Sequence, residues 1–503
     1  MKHNHHSSYR RVLKSSALIG GSSVVNVLLG IVRTKVLAML IGTSGMGLFG
    51  AFSSVTTLVG GIAGMGINLS GVRQIAEAVG SNDQSRIART TRVLRRTSFI
   101  LGLTGMLALL LLCRPISVAT FGTPAYSGAL ALLSVTILFA EVAGGQMALI
   151  QGLRRIKDLA ALSIWGALLG TVLSIPIIFL WREKGIVPFL MTVSALAIAT
   201  SWWYARKIKV ERVPLPLSAV WNEARALLGM GGVFMVTGLM TSAVAYLTRA
   251  MVIQQMNLES AGLYQAAYTL SGIYVGFVLA AMGADYYPRL TAVSGDNVEV
   301  NRLVNEQTEA ALLMALPGIL GTLTFAPWVI HLLYSAKFVL AGEILRWQLL
   351  GILGRIIVWP IGFVLLAKGN AKIFFYTELA CNVVHLSLIW CGMKWFGLSG
   401  LGMAFFGLYV FYAPLILFVV HRQSGFRWNK SNLRLGIGAI LATAVVFLAT
   451  TASMPATWGI VIGGLLTTVV GLYSLRKIVR RAGYAGPGDA LSKLWTLLQG
   501  KTA

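Results

Sequence analysis

Long apolar runs, broken at intervals by short clusters of charge, glycine or proline, dominate this chain. About twenty consecutive apolar residues cross the hydrocarbon of a bilayer as a helix. On that measure the spans fall at 15–42, 46–71, 97–119, 128–152, 158–181, 185–204, 226–255, 260–286, 308–334, 339–367, 372–396, 399–421, 434–452 and 456–475. Each must be helical, because an unpaired amide in lipid tolerates only a helix or a closed barrel. The expectation is an all-α polytopic membrane protein with about fourteen transmembrane helices.

The connectors alternate in charge and test that count. Basic ones carry Arg10, Arg11 and Lys14; Arg73, Arg86, Arg89, Arg92, Arg95 and Arg96; Arg154, Arg155 and Lys157; Arg206, Lys207, Lys209 and Arg212; Lys368 and Lys372; and Arg422, Arg427, Lys430 and Arg434. The connectors between them, such as Thr43 to Gly45 and Phe121 to Ser127, are almost free of positive charge. The positive-inside rule then places both termini in the cytoplasm. The first run is too long for a signal peptide and has no small-residue cleavage site, so it stays as a span.

Composition agrees with a bilayer as solvent. The 503 residues are 56% hydrophobic and 12% charged, with mean hydropathy +0.76. A net charge of +26 raises nucleic acid as a partner, but the basic residues sit between spans and no basic run interleaves with stacking aromatics. Nucleic acid is therefore excluded as a partner. Cys113, Cys381 and Cys391 have no metal spacing and read as packing residues. Connectors 72–96 and 287–307 are the longest and too short for a folded domain, which argues against an extramembrane catalytic site and so against an enzyme.

A weak repeat of about 215 residues is visible. Gly47-Leu48-Phe49-Gly50-Ala51 opens span two, and Gly262-Leu263-Tyr264-Gln265-Ala266 opens span eight. Arg33 and Arg249 stand 14 and 13 residues before the matching glycines. Six spans is an even number, so both copies enter the membrane in one sense, as in parallel-repeat transporters. The expected organisation is an N-lobe at 1–210, a C-lobe at 211–425 enclosing with it a central cavity, two additional spans at 426–480, and a cytoplasmic tail at 481–503.

Ionisable residues inside spans cost about 2.5 to 3.5 kcal/mol even on the lenient insertion scale, so each needs a partner, water or a task. Arg33, Arg249 and Arg355 outnumber nearby carboxylates and suit phosphate oxygens through their fork of donors. Tyr246 lies one turn from Arg249. Glu343 and Lys368 flank span ten. These six are the candidate substrate-binding residues. Glu141, Glu378 and His385 are the candidates for exchange of a coupling ion; structural ion pairs, for example Glu141 with Arg33 or Glu378 with Arg355, are the alternative.

Ser335-Ala336-Lys337-Phe338, Glu343, Trp347-Gln348-Leu349-Leu350-Gly351, Ala367-Lys368 and Thr377-Glu378-Leu379 resemble the Wzx-like flippases of O-antigen and enterobacterial common antigen lipid-linked oligosaccharides. So do the run from Leu28 to Ala38, with Gly42 and Gly45-Met46-Gly47-Leu48 after it, and Gln151-Gly152-Leu153-Arg154-Arg155. That group is the polysaccharide transporter branch of the multidrug/oligosaccharidyl-lipid/polysaccharide (MOP) exporter superfamily. The resemblance implies a polyprenyl-diphosphate-linked oligosaccharide as cargo and membrane lipids as surroundings. It implies a polymerase and a chain-length regulator as pathway partners, no cofactor beyond coupled H+ or Na+, and the bacterial inner membrane as location. Arg33 matches the cavity arginine of related lipid II flippases, but Thr34 stands where those have an aspartate, which argues against a peptidoglycan precursor. The usual twelve spans are exceeded by two. A drug or metabolite antiporter of the same superfamily, and a membrane polysaccharide polymerase or ligase, are the competing readings. A net cationic cavity disfavours the first and short connectors the second.

Overall fold

The computed structural model describes residues 2–81, 83–208, 217–451 and 455–481. The tail expected beyond Arg481, and the basic Lys209 and Arg212, lie outside the described residues. Helices cover all fourteen expected spans, and no strand occurs among the described residues. In chain order they are α1 (Lys2–Gly64), α2 (Ile67–Gly80), α3 (Gln84–Leu111), α4 (Cys113–Phe121), α5 (Ser127–Gly152), α6 (Ile156–Trp181), α7 (Ile186–Ala205) and α8 (Leu217–Gln255). There follow α9 (Leu258–Ala292), α10 (Asn297–Thr324), α11 (Ala326–Leu333), α12 (Ala341–Ala367), α13 (Ala371–Phe396), α14 (Ser399–Ser424), α15 (Lys430–Thr451) and α16 (Ala456–Arg481).

The 63 residues of α1 would reach about 95 Å if straight, far beyond one bilayer. Gly42 resolves this: its φ of 68° and ψ of −167° break the helix between the first two expected spans. Only glycine adopts that conformation without strain. Nine helical stretches among the described residues are long and apolar enough to cross a membrane, or ten if α10 and α11, bent by 84° at their junction, form one span. Two of the nine, Gly21–Gly64 and Ile156–Ala205, have 44 and 50 residues, enough to cross twice. The protein is thus a multi-pass membrane protein. The long basic connector at 72–96 is itself mostly helical, with Asp83 capping α3 by accepting from the Arg86 amide at 2.9 Å. That hydrogen bond holds the Asp83 carboxyl below its ordinary range.

The chain divides into two compact units, residues 1–265 with 333–337, and 266–332 with 338–503. This division falls later than residue 210, because α8 packs against α1, α2, α3 and α4. In the first unit, Ile67, Ile75, Leu94, Leu149 and Leu227 close a core. In the second, Ile361, Val364 and Leu365 of α12 meet Leu408, Ile416 and Val420 of α14. The last two helices are part of this second unit. Both lie on α10, where buried Glu309 receives Lys477 at 2.6 Å and Arg481 at 2.9 Å from α16, and Asn305 accepts, through its carbonyl oxygen and Oδ1, from the Asn432 amide of α15.

The sequence repeat has a physical counterpart inside the first unit. A β-carbon on Gly47 would overlap the carbonyl oxygen of Leu258, and one on Gly262 would overlap that of Thr43. Thr43 and Gly47 hold the same places in the first copy as Leu258 and Gly262 in the second. A contact in which residue i meets j and j's equivalent meets i's is the local mark of two-fold relatedness.

Candidate functional site

Arg33 projects from α1 toward α6. Two turns earlier on the same face Asn26 donates to Ser163, and Arg33 Nη1 lies 3.9 Å from where a β-carbon on Gly170 would stand. The pairs Asn26–Ser163 and Arg33–Gly170 keep one register, so the two helices run parallel here, as first and fifth spans must. A β-carbon at Gly170 would thus touch the guanidinium at ordinary contact distance. Arg33 is half-buried and forms no ion pair with any described residue.

Arg249 has different surroundings. Its Nε and Nη2 both donate to Gln265 Oε1, at 2.9 and 2.8 Å, and Nη1 donates to the Ala245 carbonyl at 2.8 Å. The Tyr264 ring centre is 5.9 Å from the guanidinium carbon. A β-carbon on Gly50 would sit 2.5 Å from Gln265 Oε1, so the glycine makes the space that this amide fills. Tyr246 turns instead to Thr120, with 3.0 Å between hydroxyls, at the edge of an apolar cavity of about 410 Å³ lined by Val59, Ile62, Leu109 and Ile116. The structure therefore gives Arg33 and Arg249 separate settings within the first unit.

Glu141, on α5, is 8% exposed and has no cation beside it among the described residues. The pairing with Arg33 weighed from sequence is not formed. Asn68 Nδ2 approaches Glu141 Oε2 at 3.4 Å, while Asn68 Oδ1 is buried without a hydrogen-bond partner. Gly64 lies directly against the carboxylate: a β-carbon there would be 2.6 Å from both oxygens. Both residues line a polar cleft of about 480 Å³ between α1, α2, α5, α7 and α8, shared with Thr57, Thr136, Ser194 and Ser242.

In the second unit, Glu378 of α13 accepts from the Tyr412 hydroxyl at 2.8 Å, with Arg355 of α12 near enough to act on it electrostatically but not in contact. His385 is buried edge-on to Phe405, ring centres 6.0 Å apart, and this fits a packing role. Glu343 is exposed and accepts from Ser399 at 2.7 Å. Lys368 donates to the Ser294 carbonyl at 3.0 Å and to Asn297 Oδ1 at 2.6 Å. Glu343 and Lys368 mark opposite ends of α12, about 37 Å apart at the rise of a helix. The expected binding residues are thus dispersed over several local settings.

Sequence reasoning missed Asn68, Gln265 and Glu309. Each is a polar side chain within an otherwise apolar span, and that was the available signal. Asn68 and Gln265 are uncharged amides, which hydropathy separates poorly from their apolar neighbours, and Glu309 is a carboxylate at the very start of an expected span, where a charge looks like part of a connector.

A helical membrane fold of two compact units, with buried guanidinium and carboxyl groups inside its helices, is the architecture of a membrane transporter. The chain superposes on the lipid II flippase MurJ in its inward closed conformation with a TM-score of 0.68, 16% identity, and coverage of 93% of this chain and 100% of that one. An inward-facing multidrug resistance MATE family transporter of the MOP superfamily gives 0.65, at 14% identity over 80% and 94% of the two chains. The family model described as polysaccharide biosynthesis protein matches residues 12–294, more than half of the sequence. The chain belongs to that family. The lipid III flippases of Escherichia coli (strain K12) and Shigella flexneri are each 25% identical over 422 residues, spanning 80% of this chain and 96% of theirs.

Proposed function

We propose that this chain is a flippase that carries a polyprenyl-diphosphate-linked oligosaccharide from the cytoplasmic to the periplasmic leaflet of the bacterial inner membrane, for surface polysaccharide synthesis. The family match and the lipid III flippase relatives support the class. The physical need is plain. A hydroxyl forced into hydrocarbon without a partner costs roughly 2–7 kcal/mol, and a glycan carries many.

Arg33 is the observation that carries the reading. A half-buried guanidinium in a membrane helix, with no described carboxylate to neutralise it, suits an anionic headgroup. Its planar donors match the diphosphate. Arg249, whose Nε, Nη1 and Nη2 already donate to Gln265 and Ala245, holds helices together rather than cargo. Outward movement of the anion runs with an inside-negative potential, at about 2.3 kcal/mol per charge per 100 mV. Exchange of H+ or Na+ at Glu378, held by Tyr412 beside Arg355, resets the cycle. The charge alternation of the connectors favours cytoplasmic termini.

Deletion of the gene should leave a lipid-linked sugar accumulating in the cytoplasmic leaflet, identified by mass analysis. Arg33→Ala should fail to restore export at normal expression, and Arg33→Lys should restore it in part. Full export with Arg33→Ala, or no lipid-linked intermediate on deletion, would remove the basis of the reading.

A further inference from the structure

The cleft beside Glu141 differs chemically from the setting of Arg33. Ser194 and Ser242 donate their hydroxyl protons to the carbonyls of Leu190 and Gly238, both at 3.0 Å, and Thr136 donates to Leu133. Their free lone pairs remain as acceptors. Asn68 Oδ1 adds an acceptor that is buried and has no partner, and Glu141 adds a carboxyl without a cation among the described residues. The cleft is therefore rich in acceptors and holds no described Lys or Arg. Such a surface repels a phosphate and attracts a ligand whose periphery is made of O–H and N–H donors.

We infer that this cleft is a glycan subsite, which takes a neutral sugar of the cargo while the diphosphate is held elsewhere; this rests on the flippase reading above. Its volume of about 480 Å³ lies within the roughly 300–1,000 Å³ usual for ligand clefts. A bare cation would need oxygens converging to contact distance, and this space holds many waters at about 30 Å³ each. Glycines make the cleft. Gly60 and Gly64 withhold side chains in front of Glu141, and a β-carbon on Gly144 would overlap the Asn68 amide, so that the amide is seated against α5. Thr57 extends the polar wall.

The test compares two probes on the full-length protein in nanodiscs: undecaprenyl diphosphate, and the same lipid carrying one N-acetylhexosamine. Wild type should bind the sugar-bearing probe at least tenfold more tightly. Gly60→Leu, whose β-carbon meets only Glu141 Oε1 at 3.9 Å and which adds a better helix former, should erase that preference and leave the bare lipid's affinity unchanged. Glu141→Gln should reduce it. Arg33→Ala should weaken both probes alike. Retention of the sugar preference in Gly60→Leu, equal loss for both probes, or a preference replaced by dependence on Na+ alone would overturn the glycan subsite. Failure of wild type to bind either probe would instead overturn the flippase reading, and the subsite with it.

Discussion

Gly47 and Gly262 pack backbone to backbone, a β-carbon on the first falling 3.1 Å from the amide nitrogen of the second and the reverse distance being 3.0 Å. They are the matching glycines of the internal repeat, and their mutual approach leaves no volume for any side chain. Replacing either with alanine should force the two segments apart. Overpacking of this kind costs about 1–3 kcal/mol. Thermal unfolding of the purified protein should show the loss for each single variant. In the double variant the cost should be less than additive, because one displacement relieves both clashes.

Arg249 and Gln265 form the best-defined buried polar contact of the first unit. Hydrogen bonds to a charged group contribute about 1.5–3 kcal/mol, and either partner alone is left in a dry site. Gln265→Ala should therefore destabilise the protein by that order, with a coupling energy to Arg249→Lys measurable in a double-mutant cycle. Additivity of the two substitutions would show the contact to be absent in the membrane.

Gly170 lies beside the Arg33 guanidinium, where a β-carbon would just reach Nη1 and a longer side chain would collide with it. Gly170→Leu should keep α6 helical yet push Arg33 from its place, so transport should fall about as far as in Arg33→Ala while the protein remains folded by circular dichroism. Normal transport would place the working position of Arg33 away from α6.

Lys368 is occupied by Ser294 and Asn297. Lys368→Met should loosen the junction of α9 and α10 by about 1–3 kcal/mol, the cost of leaving bonded groups unpaired, and leave transport largely intact. A loss of transport without a loss of stability would return Lys368 to the binding site.

Glu309 is the anchor of α16. Glu309→Ala should lower the unfolding temperature, and Lys477→Ala combined with Arg481→Ala should do so more than either alone, since the second cation covers for the first. A buried carboxylate stripped of all partners costs about 3–5 kcal/mol.

The helices were legible because a bilayer leaves the backbone almost no choice: runs of apolar residues of sufficient length become helices, and charge clusters end them. Even the break of α1 at Gly42 fell between the two runs expected at 15–42 and 46–71. The repeat was legible in the shared Gly-Leu-aromatic opening at Gly47 and Gly262. Partners were not. From sequence an ion pair of Glu141 with Arg33 stood as the alternative to separate roles, and the side-chain directions put Arg33 beside Gly170 and Glu141 beside Asn68. The last two helices looked like an appendage, and side-chain contacts remote in sequence attach them to the second unit: Asn432 with Asn305, and Lys477 and Arg481 with Glu309.

By itself the sequence determined that this is a multi-pass helical membrane protein with cations held inside its spans, because transfer free energies act residue by residue. Only the tertiary structure decided which of those side chains meet a polar neighbour, as Arg249 meets Gln265, and which have no described ion pair, as Arg33. That distinction depends on distances of a few ångströms between residues remote in the chain, and hydropathy carries no record of them.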